Sequence, residues 1–327
     1  MRVLTFNSHQ PYLHLLATAL PWSFGIITPR LPSGEIKAWD PQIRPLPVNA
    51  KVYASLQEAL QDGPWDWILT HNIQDLLDAR NISIPKVFLV HGTLSGRILQ
   101  DRSTIDRAAY LRNLQLLLEV NHCRVVYISE LKRQDWMIPG EIIRSAVDIA
   151  EYAGYRGDIR GVLLVCNHLK ERGAMMGWEI YQTVCRDIPH LVLGKNPNLS
   201  SSRVAAGWDD LKEQFRSFRV YLYTPVYPYE DGYNLALLEA MATGMPVAAL
   251  THATSPVRDE IEGVLASNAE VLRKRVFSLL DNPAEARKIG EAARARIEGE
   301  FAISKFKNAW QSFALRLIRD QSRRVGD

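Results

Sequence analysis

Glu239 is the one acid in Leu235-Ala236-Leu237-Leu238-Glu239-Ala240-Met241-Ala242-Thr243, a run otherwise apolar or small. Asn234 before it suits a helix N-cap, and Gly244 with Pro246 beyond it suits a stop, so the run predicts a helix. Apolar residues on nearly every side should bury that helix, and a carboxylate buried without partners costs roughly several kcal/mol. Glu239 therefore has to meet a cation, backbone donors or the hydroxyls of a ligand. The free N–H groups of the helix's first turn suit phosphate oxygens, and an acidic turn, Glu230-Asp231-Gly232, leads into them. Two histidines close strand-like runs: His71 ends DWILTH and His91 follows KVFLV. Such a histidine serves either a ligand or a structural hydrogen bond.

The elements that must position these groups alternate along the chain. Short apolar runs at 2–6, 24–28, 66–70, 86–90 and 124–128 read as strands, with helix-like stretches at about 10–20, 55–62, 72–80 and 102–121. A second series follows at 161–166, 190–194, 218–224 and 246–250. Continuous apolar strands bounded by helices fit a parallel sheet covered on both faces. The fold class is therefore α/β, as two Rossmann-like domains in tandem, with the break near the polar, glycine-containing stretch 145–160. From about 268 onward the pattern is helical and charged, and Pro283 should open the second of these helices. Domains of this kind bind ligands at the carboxyl ends of their strands, in the cleft between them.

Composition narrows the partners. With 327 residues, 47% hydrophobic and 23% charged, the chain can bury a sizeable core. A net charge of +3 is too small to argue for nucleic acid and leaves room for a local basic patch facing phosphate or a membrane. Cys123, Cys166 and Cys185 are far apart with no CxxC spacing, which reads as reduced core thiols in a cytosolic protein and argues against a metal. The start MRVLTFNSHQ turns polar at Asn7 and is not expected to act as a signal peptide, and no run approaches 18 apolar residues. Arg316, Arg319, Arg323 and Arg324 near the tail suit a solvated helix face or anionic lipid.

Asp231-Gly232-Tyr233-Asn234-Leu235-Ala236-Leu237-Leu238-Glu239-Ala240-Met241-Ala242-Thr243-Gly244-Met245-Pro246-Val247 resembles the E-x7-E segment of retaining GT-B glycosyltransferases of family four, usually met as EGFGLPxLEAMAxGxPVV. The register puts Asp231, not Glu230, at the first acidic position. Further similarity lies in Arg144-Ser145-Ala146-Val147-Asp148, in HLVLGKNP, and in PAEARKIGEAARARIEGEF. The resemblance implies two facing domains: 1–147, acceptor-binding, and 148–301, nucleotide-sugar-binding. A helix over 302–327 would cross back onto the first. It also implies that Glu239 grips the ribose and that Asp231 lies beside the donor sugar, with the amides of Gly232, Tyr233, Asn234 and Leu235 on sugar and phosphate.

VLLVCNHLKERG (162–173) is similar to the segment GRLxxxKG, whose Arg and Lys hold the donor diphosphate. Arg172 stands for the lysine, with forked rather than point-charge geometry, whereas Asn167 stands for the arginine and brings no charge. Lys170 or Lys195 would compensate; alternatively 168–172 is a solvated polar turn. His91 matches a family histidine near the reacting centre. His71 would face the cleft. Ser129 resembles a serine that starts a helix, and its expected job is capping. The glycine-rich first loop of the family is replaced by Asn7-Ser8-His9-Gln10, which places Ser8 and His9 near the acceptor. The turn after the last strand is likewise replaced, by Thr251-His252-Ala253-Thr254-Ser255-Pro256.

The resemblance thus implies a glycosyltransferase acting with retention, with a nucleotide-diphosphate sugar as co-substrate and a glycan, lipid-linked glycan or small molecule as acceptor. Arg172, Asp231 and His91 would be its catalytic residues. No D-x-D pair occurs, and such enzymes use helix amides and bases instead of a held metal. The expected location is cytoplasmic, with peripheral contact at the inner face of the membrane. The missing arginine at 167 and the missing glycines at 7–10 keep a rival open: a catalytically silent scaffold or partner subunit that binds nucleotide or glycan. A sugar-nucleotide epimerase shares the fold, but the style of the 231–247 segment argues against it.

Overall fold

The computed structural model describes residues 1–28, 36–101 and 105–326. Two compact units form: one holds 1–92, 105–144 and 304–326, the other 93–101 and 145–303.

In the first unit β1 (Arg2–Phe6), β2 (Ser23–Ile27), β3 (Ala50–Tyr53), β4 (Trp67–Thr70), β5 (Lys86–Val90), β6 (Cys123–Tyr127) and β7 (Glu141–Ile142) make one sheet. Its order is β3-β2-β1-β4-β5-β6-β7, with every pairing parallel. The WILT of β4 and the KVFLV of β5 are buried at every residue, as central strands with helices on both faces must be. In the second unit β8 (Ile159–Val165), β9 (His190–Leu193), β10 (Ser202–Arg203), β11 (Phe218–Tyr223), β12 (Val247–Leu250) and β13 (Gly263–Ala266) form a parallel sheet ordered β10-β9-β8-β11-β12-β13. Each sheet winds outward from its first strand and then restarts on the other side. Each therefore has one point where strand order reverses, between β1 and β4 and between β8 and β11.

Every apolar run expected to be a strand is one, with ends within two residues. The four strands not foreseen, β3, β7, β10 and β13, are the four sheet edges. An edge strand has one neighbour, so it can be short and half-exposed and still pair. The helix expected over 102–121 begins on residues 102–104, which lie outside the described residues; helices are found at Leu94–Asp101 and Arg107–Val120. The former groups with the second unit, where the Thr93 hydroxyl donates to the Tyr229 carbonyl.

The last helix, Ile303–Gly326, supplies core to the first unit. Trp310 is fully buried and stacks on Trp67 with centroids 6.1 Å apart, while its Nε1 donates to the Tyr12 hydroxyl at 3.2 Å. The side chains of Arg323 and Arg324 lie outside the described residues. In the second unit the helix Leu235–Thr243 sits in a core with Tyr221, Tyr223, Val247, Ala293 and Ile297. It ends at Gly244, whose φ of 94° demands glycine. The backbone there touches Gly290 so closely that a Cβ on Gly290 would fall 1.9 Å from the Gly244 carbonyl oxygen. Arg294 donates to the carbonyls of Ala242, Tyr152 and Ile149, a cation at the negative end of the helix. Ser129 accepts from the Lys132 amide at 3.4 Å, as expected of a cap. The three cysteines are unpaired, and burial pushes each thiol up to about 12. Among the described residues no helix is long and apolar enough to cross a membrane.

Candidate functional site

In an open parallel sheet, ligands bind beyond the carboxyl ends of the strands where strand order reverses. In the second unit these ends are the loops after β8 and β11. The loop after β8 carries Asn167, Lys170 and Arg172. Asn167 is tied down: its Oδ1 accepts from the Lys195 amide at 2.8 Å, so the loops after β8 and β9 are laced together. Asn196 completes the lacing, accepting from the Leu169 amide at 2.7 Å and donating to the Cys166 carbonyl at 2.8 Å. Lys170 and Lys195 are exposed, and the Lys170 ammonium lies 5.9 Å over the Trp178 ring. Neither lysine forms an ion pair among the described residues.

Arg172 precedes the short helix Gly173–Met176. Its Nε is buried and makes no hydrogen bond, and its guanidinium forms no ion pair among the described residues. A buried donor left unanswered costs stability, and such an exception calls for a reason. The same short helix is tied to the loop after β11. The Val226 amide donates to the Met175 carbonyl at 2.8 Å, and the Thr224 hydroxyl to the Met176 carbonyl at 2.6 Å.

The loop after β11 then delivers the acidic turn. Asp231 is 0% exposed, and its Oδ1 accepts from the Tyr233 amide at 3.1 Å. The Tyr223 hydroxyl donates to the Asp231 carbonyl. Asn234 caps the helix as its sequence predicts, accepting from the Leu237 amide at 2.8 Å. The amides of Gly232, Asn234 and Leu235 make no hydrogen bond among the described residues, so three backbone donors remain at the positive end of the helix. Glu239, on the second turn, is 6% exposed. Burial is the first cause that raises the Tyr221 phenol, with Cys166 and Glu239 adding to it.

The loop after β12, marked in the sequence only as a replaced turn, packs on the acidic turn. His252 Nε2 lies 2.9 Å from the Glu230 carbonyl, and its ring meets the Tyr227 ring edge-on at 4.9 Å. The same loop crosses Gly232, where a Cβ would meet Pro256 Cδ at 2.4 Å. The available signal was position: THATSP follows the apolar VAAL at a strand's carboxyl end.

In the first unit the reversal between β1 and β4 gathers His9, His71 and His91. His71 Nδ1 lies 2.9 Å from His91 Nε2, and His71 Nε2 lies 2.9 Å from Thr5 Oγ1. The His9 ring stacks on His91 at 4.7 Å, and Tyr12 meets His91 edge-on at 4.9 Å. Burial lowers His9 to about 4, His71 to about 3, and His91 well below the usual imidazole value. Ser8 is spent internally. Its hydroxyl donates to Asp75 Oδ2 at 3.1 Å and accepts from Asn72 at 3.2 Å, and its carbonyl takes the Lys37 ammonium. Asp75 also accepts the His71 amide at 2.9 Å, and burial raises its carboxyl to about 6. A separate cavity of about 440 Å³, lined by Arg80, Lys86, His122, Arg124, Leu317 and Asp320 among others, touches none of these groups.

Two parallel-sheet units of seven and six strands, each reversing once, define the class: the chain has the GT-B fold of glycosyltransferases. Residues 181–306 match the family model described as glycosyl transferase-like. Anabaena HepE, solved with UDP and glucose, is similar at 16% identity and a TM-score of 0.69, over 96% of this chain and 99% of that one. A glycosyltransferase from Rickettsia africae is similar at 13% identity and 0.67, over 97% and 98%. Sucrose-phosphate synthase of Thermosynechococcus elongatus is similar at 15% and 0.64, over 100% and 99%. No curated relative matches the chain.

Proposed function

We propose that the chain is a retaining glycosyltransferase that moves a sugar, a hexose in the first instance, from a nucleotide-diphosphate sugar to a hydroxyl acceptor. The observation that carries this reading is the Nε of Arg172, buried without a partner beside the point where strand order reverses. A donor diphosphate leaves with nearly two negative charges, and a fixed guanidinium N–H in a dry setting stabilises that charge as it develops. The unanswered amides of Gly232, Asn234 and Leu235 add donors for the phosphate and sugar oxygens. Glu239 takes the ribose hydroxyls, Asp231 braces the turn beside the sugar, and His91 sits by the reacting carbon.

The bond from the anomeric carbon to the phosphate oxygen breaks, and a bond to the acceptor oxygen forms on the same face. The acceptor's proton passes to the leaving phosphate, so no opposed carboxylate pair is required. Basic side chains and amides serve in place of a held metal. The acceptor is a glycan, a lipid-linked glycan or a small molecule, met on the cytoplasmic side, including at the inner membrane face.

HepE is also solved with UDP-glucose, which makes that donor the first to test. Arg172→Ala should lower kcat for donor hydrolysis or transfer by about 10²–10³-fold. Glu239→Ala should raise the donor KM by about 10–100-fold, the worth of a charged hydrogen-bond pair. Undiminished turnover in both variants would refute the assignment. Asn167, neutral and committed to the Lys195 amide, favours a second reading as a silent nucleotide-binding scaffold. Calorimetric binding of UDP-glucose without hydrolysis or transfer across an acceptor panel selects that reading.

A further inference from the structure

Neutral imidazole carries one proton on two nitrogens, and which nitrogen holds it follows from what the other one meets. In the first unit three groups form a line: Thr5 Oγ1, then the two nitrogens of His71, then Nε2 of His91, with both gaps 2.9 Å. Both ring nitrogens of His71 are therefore engaged, and neither can reach a substrate.

The line has two polarities. In one, the Thr5 hydroxyl donates to His71 Nε2, His71 Nδ1–H donates to His91 Nε2, and the His91 proton stands on Nδ1. In the other, His91 Nε2–H donates to His71, His71 Nε2–H donates to Thr5, and His91 Nδ1 presents a lone pair. Thr5 decides between them. It is fully buried on β1, and its hydroxyl makes no hydrogen bond other than that to His71 among the described residues. The second polarity would leave its O–H with no acceptor, and an unanswered buried donor biases a two-state equilibrium by roughly 5- to 150-fold.

We infer that Thr5 and His71 are positioning residues that hold His91 in the Nδ1–H form, so that His91 offers a hydrogen bond to a ligand oxygen instead of acting as a base. The surroundings keep the ring in place and uncharged. His9 stacks on one side, Tyr12 meets it edge-on, and burial together with the neighbouring histidines, Lys132 and Lys37 opposes a further proton. His9 itself accepts the Tyr12 amide on Nδ1 at 3.3 Å, which leaves its own proton on Nε2. His91 Nδ1 makes no hydrogen bond among the described residues. The ligand side rests on the glycosyl-transfer reading, in which a sugar oxygen near the reacting carbon is the acceptor of that N–H and the leaving phosphate takes the acceptor's proton.

The protonation pattern is readable without any substrate. Two-bond ¹H–¹⁵N correlation spectra of the ¹⁵N-histidine protein, with His91 assigned through a His91→Gln control, should show His91 protonated on Nδ1 in the parent chain. Thr5→Val should bring up the Nε2–H form, and Thr5→Ser should restore the parent pattern. An Nε2–H form of His91 in the parent, or a pattern unmoved by Thr5→Val, overturns the inference; the parent spectrum decides even if a variant fails to fold. With UDP-glucose as donor, Thr5→Val should lower kcat roughly 10-fold with KM little changed, and Thr5→Ser should recover it. A parent spectrum as expected with no turnover of any sugar nucleotide would sink the glycosyl-transfer reading and leave the tautomer assignment standing.

Discussion

A guanidinium buried on the side of its Nε with nothing to bond destabilises the protein by itself, so under the proposed donor-binding role Arg172 is a place where function and stability oppose each other. Arg172→Met keeps the length of the side chain and removes the unanswered donor. It should raise the unfolding free energy by about 1 kcal/mol in the absence of donor. It should also reduce the thermal shift produced by UDP-glucose without abolishing it, since Glu239 and the free amides remain. Denaturant unfolding with and without that compound checks both halves, and a destabilised variant whose response to UDP-glucose is undiminished contradicts them. Asn167, two residues past β8, shows the reverse relation: its side chain holds the Lys195 amide, so its loss loosens a loop instead of removing charge.

The helix Leu235–Thr243 is positioned at both ends by groups far away in sequence. At its start the cap is local, from Asn234 to Leu237. At its end the Ala242 carbonyl takes Arg294, and Gly244 meets Gly290 of the helix Pro283–Glu300 backbone to backbone. Gly290→Ala forces these helices apart. We expect it to cost about 1–3 kcal/mol, as overpacking does, and to raise the donor KM, because the free amides and Glu239 ride on the displaced helix. A Gly290→Ala protein with parental stability and donor KM would show that the contact is not what seats the helix.

Across the whole molecule, the buried imidazoles set the response to acid. His9, His71 and His91 stay neutral in the folded chain well below the pH at which they charge when unfolded, because burial opposes the charge. Between about pH 6.5 and 4 the unfolded chain therefore binds more protons, and stability falls as pH falls, by about 1.4 kcal/mol per unit for each such group. Asp75 acts in the opposite sense: its raised carboxyl contributes stability below the unfolded value that is lost as pH rises through about 6. The three imidazoles, joined by His14, which burial also lowers to about 4, outweigh one carboxyl, so the melting temperature at pH 5 should lie below that at pH 7. His71→Phe should flatten the dependence, and an equal or higher melting temperature at pH 5 would count against the buried cluster.

The sequence by itself determined the α/β class, the tandem sheets and the central strands, since a strand buried on both faces must be a continuous apolar run. It also determined the helix carrying Glu239, because its cap and its stop are local residues. The four edge strands escaped because pairing on one side asks little of composition. Only the tertiary structure decided what each candidate side chain touches. Arg172 and Asn167 sit five residues apart in one loop, yet one Nε is buried unanswered while the other side chain is committed to the backbone of a neighbouring loop. His71 and His91 looked alike at strand ends, and Thr5 carried no signal at all. Parallel strands β1, β4 and β5 bring the three together from positions up to 86 apart, and hydrogen-bond accounting across that gap is what the inferred positioning role of His71 and the inferred Nδ1–H form of His91 rest on.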